Sequence, residues 1–270
     1  MNRTDELKNK LKNEPKHDFN SLRELVEILR SEGGCPWDRE QTHLSNRRNF
    51  LEEAYEAAEA FDRDDPALMC EELGDMLMQV LFNIHIEEDL GRFTTEDVTT
   101  KICEKLIFRH PHIFSDGSAA SSEEVLVNWD KLKAQEKALK STTESMEHVA
   151  RSLPAIWRAD KLQTKAAKAG FEFADIEGAL EKLEEEVREL REAVSAGKGV
   201  REELGDVLFA AVKVGRFANI DGEDALSATN EKFIARFRYV ESACKARGAS
   251  VEQTPTDELI RLWNEAKQQV

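Results

Sequence analysis

The sequence predicts an all-α protein made of two tandem four-helix-bundle domains, and three observations carry that prediction. Composition is the first. Gly is only 13 and Pro 6 in 270 residues, few for a chain of tight β-turns, while the good helix formers Glu, Leu, Ala and Lys are plentiful. Periodicity is the second. Leu73, Met76, Leu77, Val80, Leu81 and Ile84 recur at three- and four-residue steps, as do Leu204, Val207, Leu208, Ala211 and Val212, so each set falls on one helical stripe. Self-similarity is the third: EELGDMLMQVLF at 71–82 returns as EELGDVLFAAVK at 202–213.

The flanks repeat as well. Leu51-Glu52-Glu53-x-x-Glu56 answers to Glu184-Glu185-Glu186-x-x-Glu189, Lys105-x-x-x-Arg109 to Lys232-x-x-x-Arg236, and Trp129-x-x-x-Lys133 to Trp263-x-x-x-Lys267. In chain order the offsets are 133, 131, 127 and 134 residues. A nearly constant offset with small drifts is the residue of duplication followed by changes in loop length. The period is too long for a solenoid and suits two domains. The expected organisation is an N-terminal tail over 1–18, a first domain over 19–136, a polar linker over 137–148 (KALKSTTESMEH) and a second domain over 149–270. Pro154 suits the first turn of a helix near the start of the second copy. Turns at 62–66 (DRDDP) and 195–199 (SAGKG) join the acidic helices of each copy as hairpins, and a four-helix bundle is the natural packing. Gly74 and Gly205 stand at the same place inside the repeated helices, where Gly costs ~1 kcal/mol against Ala, which predicts something packed close over the backbone there.

Charge excludes several functions. There are 54 acidic and 38 basic side chains, for a formal net charge of -16, which disfavours broad binding to the backbone of duplex nucleic acid. Apolar residues at 40% suffice for a core, and charged residues at 34% for solubility. No run approaches the ~18 apolar residues that span a bilayer, and MNRTDELKNK has no signal-peptide character. Cys35, Cys70, Cys103 and Cys244 stand far apart without CxxC pairing, which points to reduced thiols in the cytoplasm rather than a disulfide framework or a zinc knuckle.

The acidic helices carry the chemistry. Residues three apart share a helix face, so Glu53 and Glu56 project together, as do Glu72 and Asp75 on the next helix. Packed as a hairpin, the four converge. Glu186, Glu189, Glu203 and Asp206 repeat the arrangement. Most ExxE spacings in so acidic a chain are solvated faces, but these border the apolar stripe and occur twice, which favours a metal site. Four carboxylates together repel and take up protons unless a cation intervenes, and an all-oxygen set selects Mg²⁺ or Mn²⁺ over zinc. A di-iron bundle would need ExxH pairs on these helices; the only ones, Glu14–His17 and Glu40–His43, lie elsewhere. The pairs Lys232/Arg236 and Lys105/Arg109 each place two cations one turn apart, the geometry that grips phosphate oxygens, although a surface pair on an acidic protein is an equal reading. Trp263 either stacks on a base or packs on its bundle.

The doubled EExxE…ExxD pattern, preceded by Gly33-Gly34-Cys35-Pro36-Trp37-Asp38-Arg39-Glu40-Gln41-Thr42 and followed by Arg109-His110-Pro111-His112-Ile113-Phe114, resembles the MazG family of nucleoside triphosphate pyrophosphohydrolases. Asn230-Glu231-Lys232-Phe233-x-x-Arg236-Phe237 is similar to that family's nucleotide-binding segment. The resemblance covers nearly the whole chain beyond the first ~18 residues. It implies an all-α fold, Mg²⁺ dependence, homodimerisation, and cleavage of NTPs or dNTPs to the monophosphate and pyrophosphate. It also implies that Glu186, Glu189, Glu203 and Asp206 hold Mg²⁺, with a second site at Glu53, Glu56, Glu72 and Asp75. Lys232, Arg236, Trp263 and Lys267 would contact the nucleotide, ATP among them, with the turn from Gly199 to Glu202 near the phosphates. Glu185 and Glu202 are the candidates for general base. A basic residue expected at 199 is Gly199, with Lys198 beside it. The Cys35–Asp38 stretch is read as a structural loop. In two-domain relatives the C-terminal copy is the catalytic one, and a local difference agrees: Pro111 should end or kink the helix past Arg109, whereas Arg236-Phe237-Arg238-Tyr239 continues in register. A nucleotide sensor that does not cleave, or a helical interaction protein with a structural metal site, is the alternative.

Overall fold

The computed structural model describes residues 3–115, 121, 124, 125, 128, 129, 132 and 141–269. Among these every regular element is a helix and no strand occurs. The chain divides into two compact units, residues 1–133 and 134–270.

The first unit contains α1 (Arg3–Asn13), α2 (Phe19–Arg30), α3 (Pro36–Glu40), α4 (His43–Asp62), α5 (Pro66–Asp89), α6 (Thr95–Arg109) and α7 (Pro111–Phe114). The hairpin α4–α5 is its spine. Thr42 caps α4 through a capping box with Ser45; Asp65 caps α5 by accepting from the amides of Ala67 and Leu68, with Pro66 at the first helical position, so the turn has a cap and a stop built into four residues. The two helices run antiparallel, since contacts of α4 with α5 descend as α4 ascends: His43 reaches Asn83 and Glu87, and Asn46 reaches Gln79. Helices α2 and α6 pack on α5, around Val26, Leu81, Phe82 and Ile86. Residues 3–13, in the stretch expected to be a tail, form a helix against α2 that buries Leu11 and pairs Lys10 with Glu24 at 2.8 Å.

The Cys35–Asp38 stretch, expected as a loop, instead opens the short helix α3, and the segment 31–41 around it is fixed from beneath. Arg30 donates to the carbonyl of Asp38 at 2.6 Å, pairs with Asp89 at 3.0 Å and lies over the Phe82 ring at 5.1 Å. Gly34 is obligatory there, because a Cβ would stand 2.3 Å from the carbonyl oxygen of Ile28.

The second unit contains α8 (Thr142–Glu147), α9 (Ala155–Lys168), α10 (Ile176–Ala196), α11 (Val200–Phe217), α12 (Gly222–Ala246) and α13 (Thr256–Ala266). Its spine is α10–α11. Asp175 caps α10 at the place Thr42 holds in the first unit. Helix α9 packs on α11 and α12, and α12 joins α13 over Val240, Cys244 and Leu262. Within the stretch read as a linker, α8 is helical: Ser141 caps it, and Lys165 of α9 donates to Ser145 at 2.5 Å. A cap and one tertiary contact are enough for six residues that lack apolar periodicity. Residues 137–140 of that stretch, and Lys133, lie outside the described residues.

The repeated glycines correct the sequence reading. Among the described residues, no atom lies within 4 Å of the position a Cβ would take at Gly74 or Gly205. The stripes they sit on are split. Leu81 and Ile84 are buried in their own unit, whereas Leu73, Leu77, Val80, Leu204 and Leu208 are exposed.

Candidate active site

Each spine brings three carboxylates together. In the second unit, one oxygen each of Glu186, Glu203 and Asp206 lie within 4.8 Å of one another; in the first, Glu53, Glu56 and Glu72 do so. The convergence follows from helical spacing across a hairpin, because Glu186 stands on α10 and Glu203 and Asp206 on α11. Of the four acids expected in each set, Glu189 and Asp75 stand outside these groups. Both remain close enough to act on them: Glu189 raises the Glu203 pKa, and Asp75 those of Glu53 and Glu72. Glu203 is pushed above the ordinary carboxylate range first by burial and then by Glu189 and Asp206. Glu53 and Glu72 are raised by burial first, then by their acidic neighbours. Carboxylates held where they repel one another, with no His or Cys among them, fit a hard divalent cation. In the second unit the donors that fit are Glu186, Glu203 and Asp206, with Glu189 beside them.

The same ligand position is supported differently in the two units. Glu186, only 7% exposed, accepts from Lys182 at 2.7 Å, and the same ammonium pairs with Glu185 at 3.0 Å. These two carboxylates, Glu186 first, raise the Lys182 pKa above the ordinary lysine range. At the corresponding carboxylate Glu53, the partner is the neutral side chain of Gln79, whose side-chain oxygen accepts from Asn46 at 2.8 Å. Neither Lys182 nor the Asn46–Gln79 pair was anticipated from sequence. Laying α10 on α4 at the 133-residue offset would have found them, since Lys182 faces Asn49, and Asn46 faces Ala179.

The turn before α11 explains the residue at 199. Gly199 has φ +80° and caps the helix, following Gly197 at φ +65°. A side chain there would sit in the left-handed region that favours glycine. The amides of Glu202 and Glu203 return to the Gly199 carbonyl at 2.9 and 3.2 Å, which places Glu202 in the first turn of α11.

The basic pairs differ most. Helix α6 ends at Arg109, as Pro111 requires, and His110 leaves the helical region at φ -119°, ψ 56°. Arg109 is 5% exposed, lies over the Trp129 ring at 5.3 Å, and His110 meets the edge of the same ring at 5.0 Å. Helix α12 instead runs unbroken through Lys232 and Arg236 to Ala246. Lys232 is exposed and Arg236 half-buried. Trp263, on α13, packs against Phe233 of α12 at 5.1 Å, with Phe237 stacked beyond at 6.1 Å. Lys267 follows at the end of α13 and donates to Asn264 at 3.3 Å.

Comparison with known proteins places this arrangement. The family model described as the MazG nucleotide pyrophosphohydrolase domain matches residues 41–114 and 175–240, which include both carboxylate clusters and both basic pairs but not Trp263 or Lys267. The chain is 41% identical over 249 residues to the nucleoside triphosphate pyrophosphohydrolase/pyrophosphatase MazG of Thermotoga maritima, covering 92% of this chain and 95% of that one. It is 38% identical over 258 residues to the nucleoside triphosphate pyrophosphohydrolase of Escherichia coli K12, covering 94% and 98%. An uncharacterized protein of Bacillus subtilis, YabN, is 44% identical over 257 residues, covering 93% of this chain and 52% of its own length.

Proposed function

Because this chain belongs to the MazG nucleotide pyrophosphohydrolase family, we propose that it hydrolyses nucleoside triphosphates, NTPs and dNTPs, at the α–β phosphoanhydride to the monophosphate and pyrophosphate. The observation that carries the reading is the C-terminal cluster, Glu186, Glu203 and Asp206 within 4.8 Å, in a chain whose relatives are named for that activity. These residues and Glu189 would hold Mg²⁺, with Mn²⁺ as a substitute. A bound divalent ion supplies Lewis-acid polarisation of phosphoryl oxygens and a water more easily deprotonated.

The chain's own residues do the rest. The carboxylates would fix the ion and, left bare, repel the triphosphate, so nucleotide and metal are needed together. The N-terminus of α11, opened by the Gly197–Gly199 turn, favours phosphate beside it. Lys232 and Arg236, rigid on α12, offset the charge that develops on departing pyrophosphate. Trp263, braced by Phe233, offers a face for the base, and Lys267 lies one turn further on. Glu185 and Glu202 remain the two groups able to take the proton of the attacking water; Glu185 already accepts from Lys182.

Two further parts of the reading concern context. Each unit has an exposed apolar stripe, Leu73 and Leu77 in the first and Leu204 and Leu208 in the second, with open space over Gly74 and Gly205; such surfaces mark interfaces, and we assign them to a second copy in a homodimer. All four cysteines are free, in keeping with a reducing cytoplasm; among the described residues no helix is long and apolar enough to cross a membrane. The net charge of -16 argues against duplex nucleic acid as a partner.

One assay tests the activity. A panel of NTPs and dNTPs is incubated with Mg²⁺ and scored for monophosphate and pyrophosphate against diphosphate and phosphate. Monophosphate with equimolar pyrophosphate is expected, abolished by chelator, restored by Mg²⁺ or Mn²⁺ and not by Zn²⁺ alone. Nucleotide bound but uncleaved under these conditions would leave a sensor in place of an enzyme.

A further inference from the structure

The two repeats hold one carboxylate at the same register and give it opposite company. Glu53 has a neutral amide. Because the Gln79 carbonyl accepts from Asn46, the NH₂ of Gln79 is the end left for Glu53. Asn46 and Gln79 are 2% and 5% exposed, so packing on both sides holds this relay in place. In the second unit the two positions are Ala179 and Ala210, also buried, and no amide relay can form. There Glu186 has an ammonium, Lys182, at 2.7 Å; the residue that matches Lys182 in the first unit is Asn49.

A neutral donor orients a carboxylate and leaves its charge intact for a cation. An ammonium does the reverse: it cancels part of the cluster's charge and adds a like charge that an incoming divalent ion must displace or face. The difference also extends to the basic pairs, for Arg109 is buried against Trp129 while its counterpart Arg236 is half-buried.

Resting on the proposal above that the C-terminal cluster is a divalent-cation site, and extending it to the N-terminal trio of the same geometry, we infer that Glu53, Glu56 and Glu72 take up a cation in the absence of nucleotide, whereas Glu186, Glu203 and Asp206 take one up firmly only with nucleotide, after Lys182 leaves Glu186. The N-terminal ion is then resident, and Gln79 and Lys182 are positioning residues that set the two affinities apart. A triphosphate arriving with its own metal supplies the negative charge that Lys182 needs as a new partner.

Electron paramagnetic resonance of Mn²⁺ titrated into the full chain without nucleotide reads this directly. Wild type should show one tighter class of bound Mn²⁺ and one weaker class. The tighter class should survive Glu203→Ala/Asp206→Ala and vanish in Glu56→Ala/Glu72→Ala. Asn46→Ala/Gln79→Ala, which installs the alanine pair on which the second unit already folds, should weaken the tighter class by roughly tenfold or more. Lys182→Met should tighten the weaker class by roughly tenfold, and Lys182→Arg, which keeps the cation, should not. Circular dichroism on each variant separates loss of binding from loss of fold. A tighter class that follows Glu203 and Asp206, or affinities unmoved by both Lys182→Met and the alanine pair, overturns the inference while leaving two metal sites. No bound Mn²⁺ in either cluster, even with a non-hydrolysable nucleotide, overturns it by removing the metal reading beneath it.

Discussion

The α4–α5 and α10–α11 hairpins are two solutions to one design, and their differences are more instructive than their likeness. Both present a trio of carboxylates from the same register. The first has a polar lattice, Asn46, Gln79, Asn83, His43 and Glu87, at the open end of the hairpin, on the side of the trio away from the turn. At those places the second has Ala179, Ala210, Val214, Ile176 and Ala218. Buried polar groups that satisfy one another rigidify and specify an arrangement, whereas an apolar seam leaves the facing side chains free of directional ties. The first hairpin is thus built to keep one geometry, and the second pairs an apolar seam with an unbroken α12 that carries Lys232 and Arg236. On the proposed function, rigidity and chemistry would fall to different copies.

Single changes at matched positions should break that allotment most visibly at the acids. Asp206→Ala removes a member of the C-terminal trio and should lower the hydrolysis rate by about 100-fold or more. Asp75→Ala, at the same register but outside the N-terminal trio, should lower it by less than about threefold, since it removes no group from the proposed catalytic cluster. Glu189→Ala and Glu56→Ala should divide the same way. Initial rates of pyrophosphate release on the four variants measure this. Equal losses from Glu56→Ala and Glu189→Ala would mean that both clusters turn over substrate or are tightly coupled, and the asymmetric reading would fail.

The basic pairs sharpen the contrast with a smaller effect. Arg236→Ala should reduce kcat/KM by about 10- to 100-fold, the loss of a charge-assisted phosphate contact, with little change in thermal stability. Arg109→Ala should do the opposite. Its guanidinium is buried against Trp129, so truncation opens a hole under an aromatic ring and should cost about 1–2 kcal/mol of stability in the first unit. Kinetics and thermal unfolding on the same two proteins decide it; a kinetic loss from Arg109→Ala as large as that from Arg236→Ala would place nucleotide in both units.

Much of this was legible in the residues, and the rest was hidden for identifiable reasons. Periodicity and repetition disclose α4, α5, α10 and α11, because an amphipathic stripe is written in every third or fourth letter. The short helix Thr142–Glu147 is invisible to that test; its cap and its tie to Lys165 are tertiary facts. The acids were found because they match between copies. Lys182, Gln79 and Asn46 were missed for the converse reason: they are what does not match, and a search for self-similarity passes over differences. Gly74 and Gly205 led to the expectation of a close approach to the helix backbone, which no neighbouring group among the described residues makes. Pro111 announced the end of α6, whereas the burial of Arg109 depended on Trp129, some twenty residues away with no local pattern to mark the contact.

The smallest expected effect is a pH dependence confined to the first unit. The Nδ1 of His43 faces the Asn83 side-chain oxygen at 2.9 Å, and the Asn83 NH₂ is already spent on the main-chain carbonyl of Gln79 at 2.9 Å. The Nε2 meets the Glu87 carboxylate, which Arg92 also contacts at 2.5 Å. Both ring nitrogens therefore face acceptors, the arrangement of an imidazolium. The hydrogen bond to Asn83, then that to Glu87, raises the His43 pKa above its ordinary 6.5, and the hydrogen bond from His43, then that from Arg92, lowers the Glu87 pKa below 4.5. A histidine whose pKa is higher in the folded state contributes stability that is fully present below its unfolded pKa and is lost as pH rises through the folded value. Glu87 contributes with the opposite sense, present above its unfolded pKa and lost as pH falls through its lowered folded value. The two overlap between about pH 4.5 and 6.5, and stability of the first unit should decline as pH climbs beyond that window. The second unit has Ile176 and Ala218 at the corresponding positions and nothing there to titrate. Hydrogen exchange monitored by mass spectrometry between pH 6 and 8.5, corrected for intrinsic rates, should show protection falling in α4 and α5 relative to α10 and α11. His43→Ile, which installs the second unit's own residue, should flatten the difference. A pH trend in α4 and α5 that persists in His43→Ile would assign the titration to another group and remove this contrast between the hairpins.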